Sequence, residues 1–239
     1  IMPGIFIAGT DTGVGKTVVS SGLIKLARKR GINCVGVKPV ETGCPVASGM
    51  LQPIDGKILW EAGERAFSLD DCAPYRFALP AAPYRSAAME NRNLKVADIV
   101  EHILALAEDA EMLIVEGAGG LMTPVEEAKS MIDIIFDLKF PTILVAKMSL
   151  GTINHSLLSV EALEKRGIKL KALILSSTNQ NPGPEEEYTP KDLSCILRDI
   201  PVAVLPFIEN AGNSAPSKVA ELMAENWPDS FVDQIFYNF

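Results

Sequence analysis

The segment that most limits how this chain can fold lies near its start. A short apolar run, 5–8, passes directly into Gly9-Thr10-Asp11-Thr12-Gly13-Val14-Gly15-Lys16-Thr17, and a stretch of helical period, 16–30, begins before the loop has ended. A strand that stops at a glycine-rich turn and continues as a helix aims a row of backbone N–H groups, and the positive end of the helix dipole, at one point in space. Polyphosphate suits such a point. Lys16 supplies a charge to its outer phosphates, and the Thr17 hydroxyl can ligate Mg²⁺. Gly9 lies six positions before Gly15, one more than in the common form of this loop, so the loop is a variant.

Further apolar runs of strand length occur at 34–38, 112–115, 142–146, 172–175 and 202–205, with helical stretches at 96–108, 153–166 and 190–198 among them. Strand and helix in alternation predict an α/β fold, a mainly parallel sheet with helices on both faces. A length of 239 residues suits one core, so residues 1–239 are expected to form a single domain. Sheets of this kind bind ligands beyond the carboxyl ends of their strands, which is where chemistry is to be sought. Loop-rich intervals fall at 42–55, 72–83 and 178–190; the last, with Pro182, Gly183, Pro184 and the acids 185–187, reads as a solvated loop.

Two strand ends carry charge. The second run closes in Lys38-Pro39-Val40-Glu41-Thr42-Gly43, and a lysine at the sheet edge beside a phosphate loop reads as a neutraliser of charge on a transferring phosphoryl group. The third, Met112-Leu113-Ile114-Val115, runs into Glu116-Gly117-Ala118-Gly119-Gly120. An acid at such a strand tip holds Mg²⁺ or its water shell, and the small residues after it let backbone approach phosphate. Asp55, in Gln52-Pro53-Ile54-Asp55-Gly56, reads on its residues alone as a helix N-cap.

Charge and composition exclude other partners. A net charge of −8 argues against nucleic acid or an anionic membrane, both of which need a broad basic surface. No apolar run approaches the roughly 20 residues of a membrane span, and a cytosolic protein is expected. Cys34, Cys44, Cys72 and Cys195 lack paired spacing and read as free thiols.

Taken together, G-T-D-T-x-V-G-K-T at 9–17, V-K-P-V-x-T-G at 37–43, V-E-G-A-G-G at 115–120, L-G-T-I-N-H at 150–155 and P-F-I-E-N at 206–210 resemble the dethiobiotin synthetase family of the P-loop NTPase superfamily, in the same order and over almost the whole chain. The resemblance implies ATP- and Mg²⁺-dependent closure of a cyclic urea from CO₂ and 7,8-diaminononanoate, through a carbamate activated by the γ-phosphate. It assigns catalysis to Lys16, Lys38, Thr12 and Thr42, and Mg²⁺ to Thr17, Asp55 and Glu116. Nucleotide contacts fall to Gly13, Val14, Gly15, Lys16, Thr17, Val18, Asp55, Glu116, Gly117, Ala118, Gly119, Ser176, Ser177, Pro206, Phe207, Ile208 and Asn210. Substrate contacts fall to Thr12, Lys38 and Thr42, with Gly151, Thr152, Asn154 and Tyr188 reaching the substrate carboxylate across a homodimer interface.

The chain departs from that pattern in three places. Better-known relatives place an Asn that reads adenine after the fifth strand, where this chain has Ser176-Ser177 and only then Asn179, so weaker base selectivity is expected. Pro206-Phe207-Ile208-Glu209-Asn210 is one residue shorter than the familiar P-W-L-A-E-N, and Gly13 replaces an acid seen in some relatives. Two alternatives are weighed. An amidation domain of the cobyrinate type normally draws ammonia from a Cys-His glutaminase, but the only histidines here are His102 and His155. A switch ATPase of the partitioning or metal-delivery type usually has a second lysine early in the loop, where this chain reads Thr10-Asp11-Thr12.

Overall fold

Among the described residues, six parallel strands form the central sheet of this computed structural model, in the order Val202–Leu205, Leu170–Ser176, Thr142–Lys147, Gly4–Gly9, Met112–Glu116 and Cys34–Val37. The structure describes residues 4–177, 180, 183–209 and 215–237. Every apolar run of the sequence becomes one of these strands. They are unbroken in hydrophobicity because both faces of the sheet are covered.

Alternate side chains serve opposite layers, as the two-residue period of a strand requires. Ile5, Ile7, Ile114 and Val145 pack with Val19 and Leu23 of the helix Lys16–Lys29, Val219 and Met223 of Pro216–Asn226, and Ile235 of Asp229–Phe236. Phe6, Leu113, Val115 and Leu144 face the other way, onto Ile99 and Ile103 of Val96–Asp109, Ile135 of Met131–Leu138 and Val160 of Thr152–Lys165. The last helix is amphipathic, but its apolar face is spent on the core, with Val232, Ile235 and Phe236 buried. Among the described residues no helix is long and apolar enough to cross a membrane.

The loop-rich intervals hold structure too short to show as periodicity. Residues 42–55 contain a tight hairpin, Val46–Ala47 against Met50–Leu51, turned by Ser48 and Gly49 at positive φ. Within 72–83, the strand Tyr75–Phe77 pairs in parallel with Val40–Thr42. The reading of 178–190 as a loop is corrected over its second half. The helix Pro184–Ile196 starts six residues before the expected 190, with Pro190 inside it. Pro184 at its first position explains the start, since a helix has no use for that N–H, and a proline at a first turn is a start signal as much as a loop signal.

Candidate active site

The carboxyl ends of the strands converge on a cavity of about 980 Å³. It is lined by Thr12, Gly13, Gly15, Lys16, Thr17 and Val18 from the first loop and helix, by Lys38 and Thr42 after the second strand, and by Glu116, Ala118 and Gly119 after the third. Ser176, Ser177, Pro206, Phe207 and Ile208 close one end, and Asp55 and Pro80-Ala81-Ala82-Pro83 the other. Gly15 sits at the N-cap of its helix with φ 97°, a left-handed conformation that disfavours any side chain. A Cβ there would also stand 2.7 Å from Ser176 Oγ, so the loop reaches across Thr142–Lys147 to lie on the end of Leu170–Ser176.

Charge is concentrated at the cavity floor. Glu116 is fully buried, and its Oε1 accepts hydrogen bonds from Lys38 Nζ at 2.6 Å and Thr17 Oγ1 at 2.8 Å. Lys38, itself buried, also donates to the Gly117 carbonyl at 3.2 Å and stands 3.2 Å from Asp55 Oδ2. Burial works against the Lys38 ammonium, but Glu116 and then Asp55 outweigh it and raise its pKa above the ordinary lysine value. Lys16 forms no such ion pair among the described residues, although Glu116, Asp55 and Asp11 attract it from farther away. Its Nζ donates to the Asp11 carbonyl at 2.8 Å, and burial, with the nearby charge of Lys38, lowers its pKa to about 8.

That lowered value has a measurable sign. Between about 8 and 10.5 the unfolded chain holds a proton on Lys16 that the folded chain has released, so the Lys16 contribution to stability rises with pH across this window. Without nucleotide, Lys16→Met is therefore expected to gain stability over wild type at pH 7, by up to about 3 kcal/mol. The gap should close as pH climbs from about 8 towards 10.5 in denaturant titrations. A gap independent of pH would show that Lys16 carries no desolvation penalty.

Two carboxylates and a hydroxyl are poised for a cation. Glu116 Oε2 is buried with no hydrogen-bond partner among the described residues, a carboxylate oxygen unused beside Thr17 and within the same cluster as Asp55. Among the described residues no group of three or more His, Cys, Asp or Glu forms a metal cage by itself. Such a donor set fits Mg²⁺, which takes one or two carboxylates and completes its shell with phosphate and water, better than a metal that needs an all-protein site.

Several residues singled out from the sequence lie elsewhere. Val14 of the loop is buried in the core and Gly117 gives only its carbonyl to Lys38. Gly151, Thr152, Asn154 and Tyr188 do not line the cavity of their own chain; Gly151 caps its helix at φ 92°, and Tyr188 is exposed on the helix Pro184–Ile196 and not in a loop. Asn210 and Asn179 lie outside the described residues. Asp55 is not an N-cap. It is the second residue of the helix Ile54–Ala62, after Pro53, and the capping oxygens come from Glu41. Glu41, Thr123, Pro124 and 80–83 also line the cavity and carried no sequence signal, because their roles depend on contacts across the fold.

A parallel sheet with a glycine-rich loop over its central strand, a buried lysine and a strand-tip carboxylate define a P-loop nucleoside-triphosphate-binding protein. Its backbone is similar to a ParA family ATPase of Chlorobium tepidum (TM-score 0.55, 14% identity, 98% of each chain) and to the septum site-determining protein MinD of Pyrococcus horikoshii (TM-score 0.52, 18% identity, 91% of this chain and 94% of that one), a likeness of fold alone. Residues 3–216 match a family model described as an AAA domain. The chain belongs to the family of ATP-dependent dethiobiotin synthetases. It is 38% identical over 216 residues to the ATP-dependent dethiobiotin synthetase BioD of Anaeromyxobacter sp. strain K, covering 90% of this chain and 95% of that one. The protein of the same name from Thermodesulfovibrio yellowstonii is 35% identical over 232 residues, 94% of this chain and 95% of its own.

Proposed function

We propose that this chain, acting as one domain, closes 7,8-diaminononanoate and CO₂ into the cyclic urea of dethiobiotin with consumption of ATP. The observation that carries the reading is the buried Lys38–Glu116 pair set beside the phosphate loop, in a chain related over nine-tenths of its length to synthetases of that name. Lys16 and the backbone of 13–18 hold the triphosphate. Thr17, Glu116 and Asp55 hold Mg²⁺, which neutralises phosphate charge when bound. Lys38 faces the transferring phosphoryl group and the carbamate, and Thr12 and Thr42 donate hydrogen bonds to the substrate.

One amine of the diamine takes up CO₂ as a carbamate and releases a proton. A carbamate oxygen attacks the γ-phosphorus, ADP leaves, and the second amine attacks the activated carbonyl carbon with loss of phosphate. Closure is fast because both amines stand on adjacent carbons. The protein's part is to hold the reactants in line and to stabilise charge on the moving phosphoryl group.

A homodimer completes the site. Gly151, Thr152 and Asn154, at a helix N-terminus suited to an anion, serve the substrate carboxylate of a second copy, with Tyr188 closing over it. Exposed Met122 and Leu158, the latter on the same helix as Thr152 and Asn154, line a small pocket and support a contact surface there. With a net charge of −8 the partners are small molecules, not nucleic acid or membrane, and the protein works in the cytoplasm.

The test is an assay with bicarbonate, Mg²⁺, ATP and the diamine. One cyclic urea per ADP is expected, and ATP turnover indifferent to the diamine would end this reading. Run in parallel with GTP and CTP, the assay also reads base selectivity. Ser176 lies buried against Gly15, and among the described residues Ser177 and 206–208 line that end of the cavity with no asparagine beside them, so preference for ATP is expected to be modest. Strict dependence on ATP would contradict that part.

A further inference from the structure

Glu41 lines the cavity, yet the phosphate and metal site described above has no use for it. It lies on the strand Val40–Thr42, only 6% exposed. Its carboxylate accepts three backbone N–H groups from the start of the helix Ile54–Ala62: Ile54 at 2.6 Å and Asp55 at 3.0 Å on Oε1, and Gly56 at 2.8 Å on Oε2. A helix leaves its first N–H groups without partners, and a side chain at the N-cap normally takes one of them. Here the N-cap is Pro53, which has no side-chain acceptor, so the acceptor comes from Glu41, 13 residues before Ile54.

That arrangement ties two parts of the site together. Asp55 is on the turn that Glu41 grips, and its Oδ2 stands 3.2 Å from Lys38 Nζ. Lys38 is in turn three residues before Glu41, so one short stretch of chain carries both the lysine and the clamp that brings Asp55 to it. The approach is close on every side. A Cβ at Gly56 would meet Ala73 Cβ at 2.6 Å and Pro53 Cβ at 3.2 Å, so the helix start is pressed into place and a side chain at 56 would displace it. The carboxylates of Glu41 and Asp55 also repel each other, so their proximity is held by the N–H bonds and by Lys38, not by their own charges.

We propose that Glu41 is a positioning residue that docks the first turn of the helix Ile54–Ala62 so that Asp55 faces Lys38 and the Mg²⁺ oxygens. It acts through Asp55 and touches neither phosphate nor substrate. The proposal rests on the reading of Thr17, Asp55 and Glu116 as the metal site.

The test compares wild type with Glu41→Ala, Glu41→Gln and Asp55→Ala by calorimetry of a non-hydrolysable ATP analogue at graded Mg²⁺. In Glu41→Ala the Mg²⁺ concentration at half-maximal gain in affinity should rise about tenfold, the usual scale for an outer partner of a metal ligand. Affinity without Mg²⁺ should stay as in wild type, since the phosphate loop is untouched. Glu41→Gln, which keeps one oxygen for the N–H groups of Ile54 and Asp55 but turns an amide toward Gly56, should fall between. In the Asp55→Ala background, Glu41→Ala should add nothing to the Mg²⁺ shift. A full additional shift there, or an equal loss of affinity without Mg²⁺, would show a merely structural cap and overturn the proposal. If wild type itself gains no affinity from Mg²⁺, the metal reading fails and takes this one with it; if wild type responds and Glu41→Ala responds identically, only the role of Glu41 fails.

Discussion

Lys38→Met should abolish synthesis and unsettle the fold at the same time. Lys38 is the closest partner of a buried carboxylate: Glu116 is 0% exposed and the lysine side chain 5%. Removing one member of a buried pair leaves the other charge uncompensated, at a cost of about 3–5 kcal/mol. In Mg²⁺-free buffer the denaturation midpoint should fall accordingly, and Lys38→Met with Glu116→Gln should recover most of the loss, because the stranded charge is then gone. Turnover should drop by at least about 10²-fold, the scale for losing one preorganised group aimed at a developing charge. The loss should persist in Lys38→Met assayed below its own unfolding midpoint, which separates catalysis from folding. A single variant that folds and turns over like wild type would remove Lys38 from the site.

Glu116→Gln is expected to do the reverse: heavy loss of function with a smaller loss of stability. The glutamine retains an oxygen where Oε1 receives Lys38 and Thr17, and Lys38 keeps Asp55 at 3.2 Å. What disappears is the anionic, unpartnered Oε2, the oxygen best placed to meet a cation. Turnover should fall about 10²- to 10³-fold, with the Mg²⁺ requirement raised about 10- to 100-fold. Steady-state rates across a Mg²⁺ series would check both, beside a denaturant curve on the same preparation. Unchanged Mg²⁺ dependence would move the metal away from Glu116.

The different stability costs of these two changes follow from geometry that no local pattern contains. Glu116 has one strong cationic partner and lies wholly inside, whereas Lys38 is shared between two acids, one of them partly open to solvent. The sequence places both residues at strand ends, but a linear string does not say that the second and third strands are neighbours in the sheet. The pairing of Val37 with Val115 does, because it sets the two following residues side by side.

What the chain determined by itself was therefore the set of strands and the loop chemistry. Continuous apolar runs such as 112–115 can only be buried on both faces, and a glycine-rich turn between strand and helix can only be a concentration of N–H groups; both properties are local and survive any arrangement of the rest. The tertiary structure alone decided which acid caps which helix, why Asp55 is presented to Lys38 instead of closing its own helix, and that 184–190 is helical where its prolines and acids read as loop. These depend on contacts between segments distant in sequence, or on a balance between a proline as helix starter and as loop former that packing tips one way. Glu41 is the sharpest case. Nothing in Val40-Glu41-Thr42 marks it, and its role exists only because folding brings three unpaired N–H groups to its carboxylate.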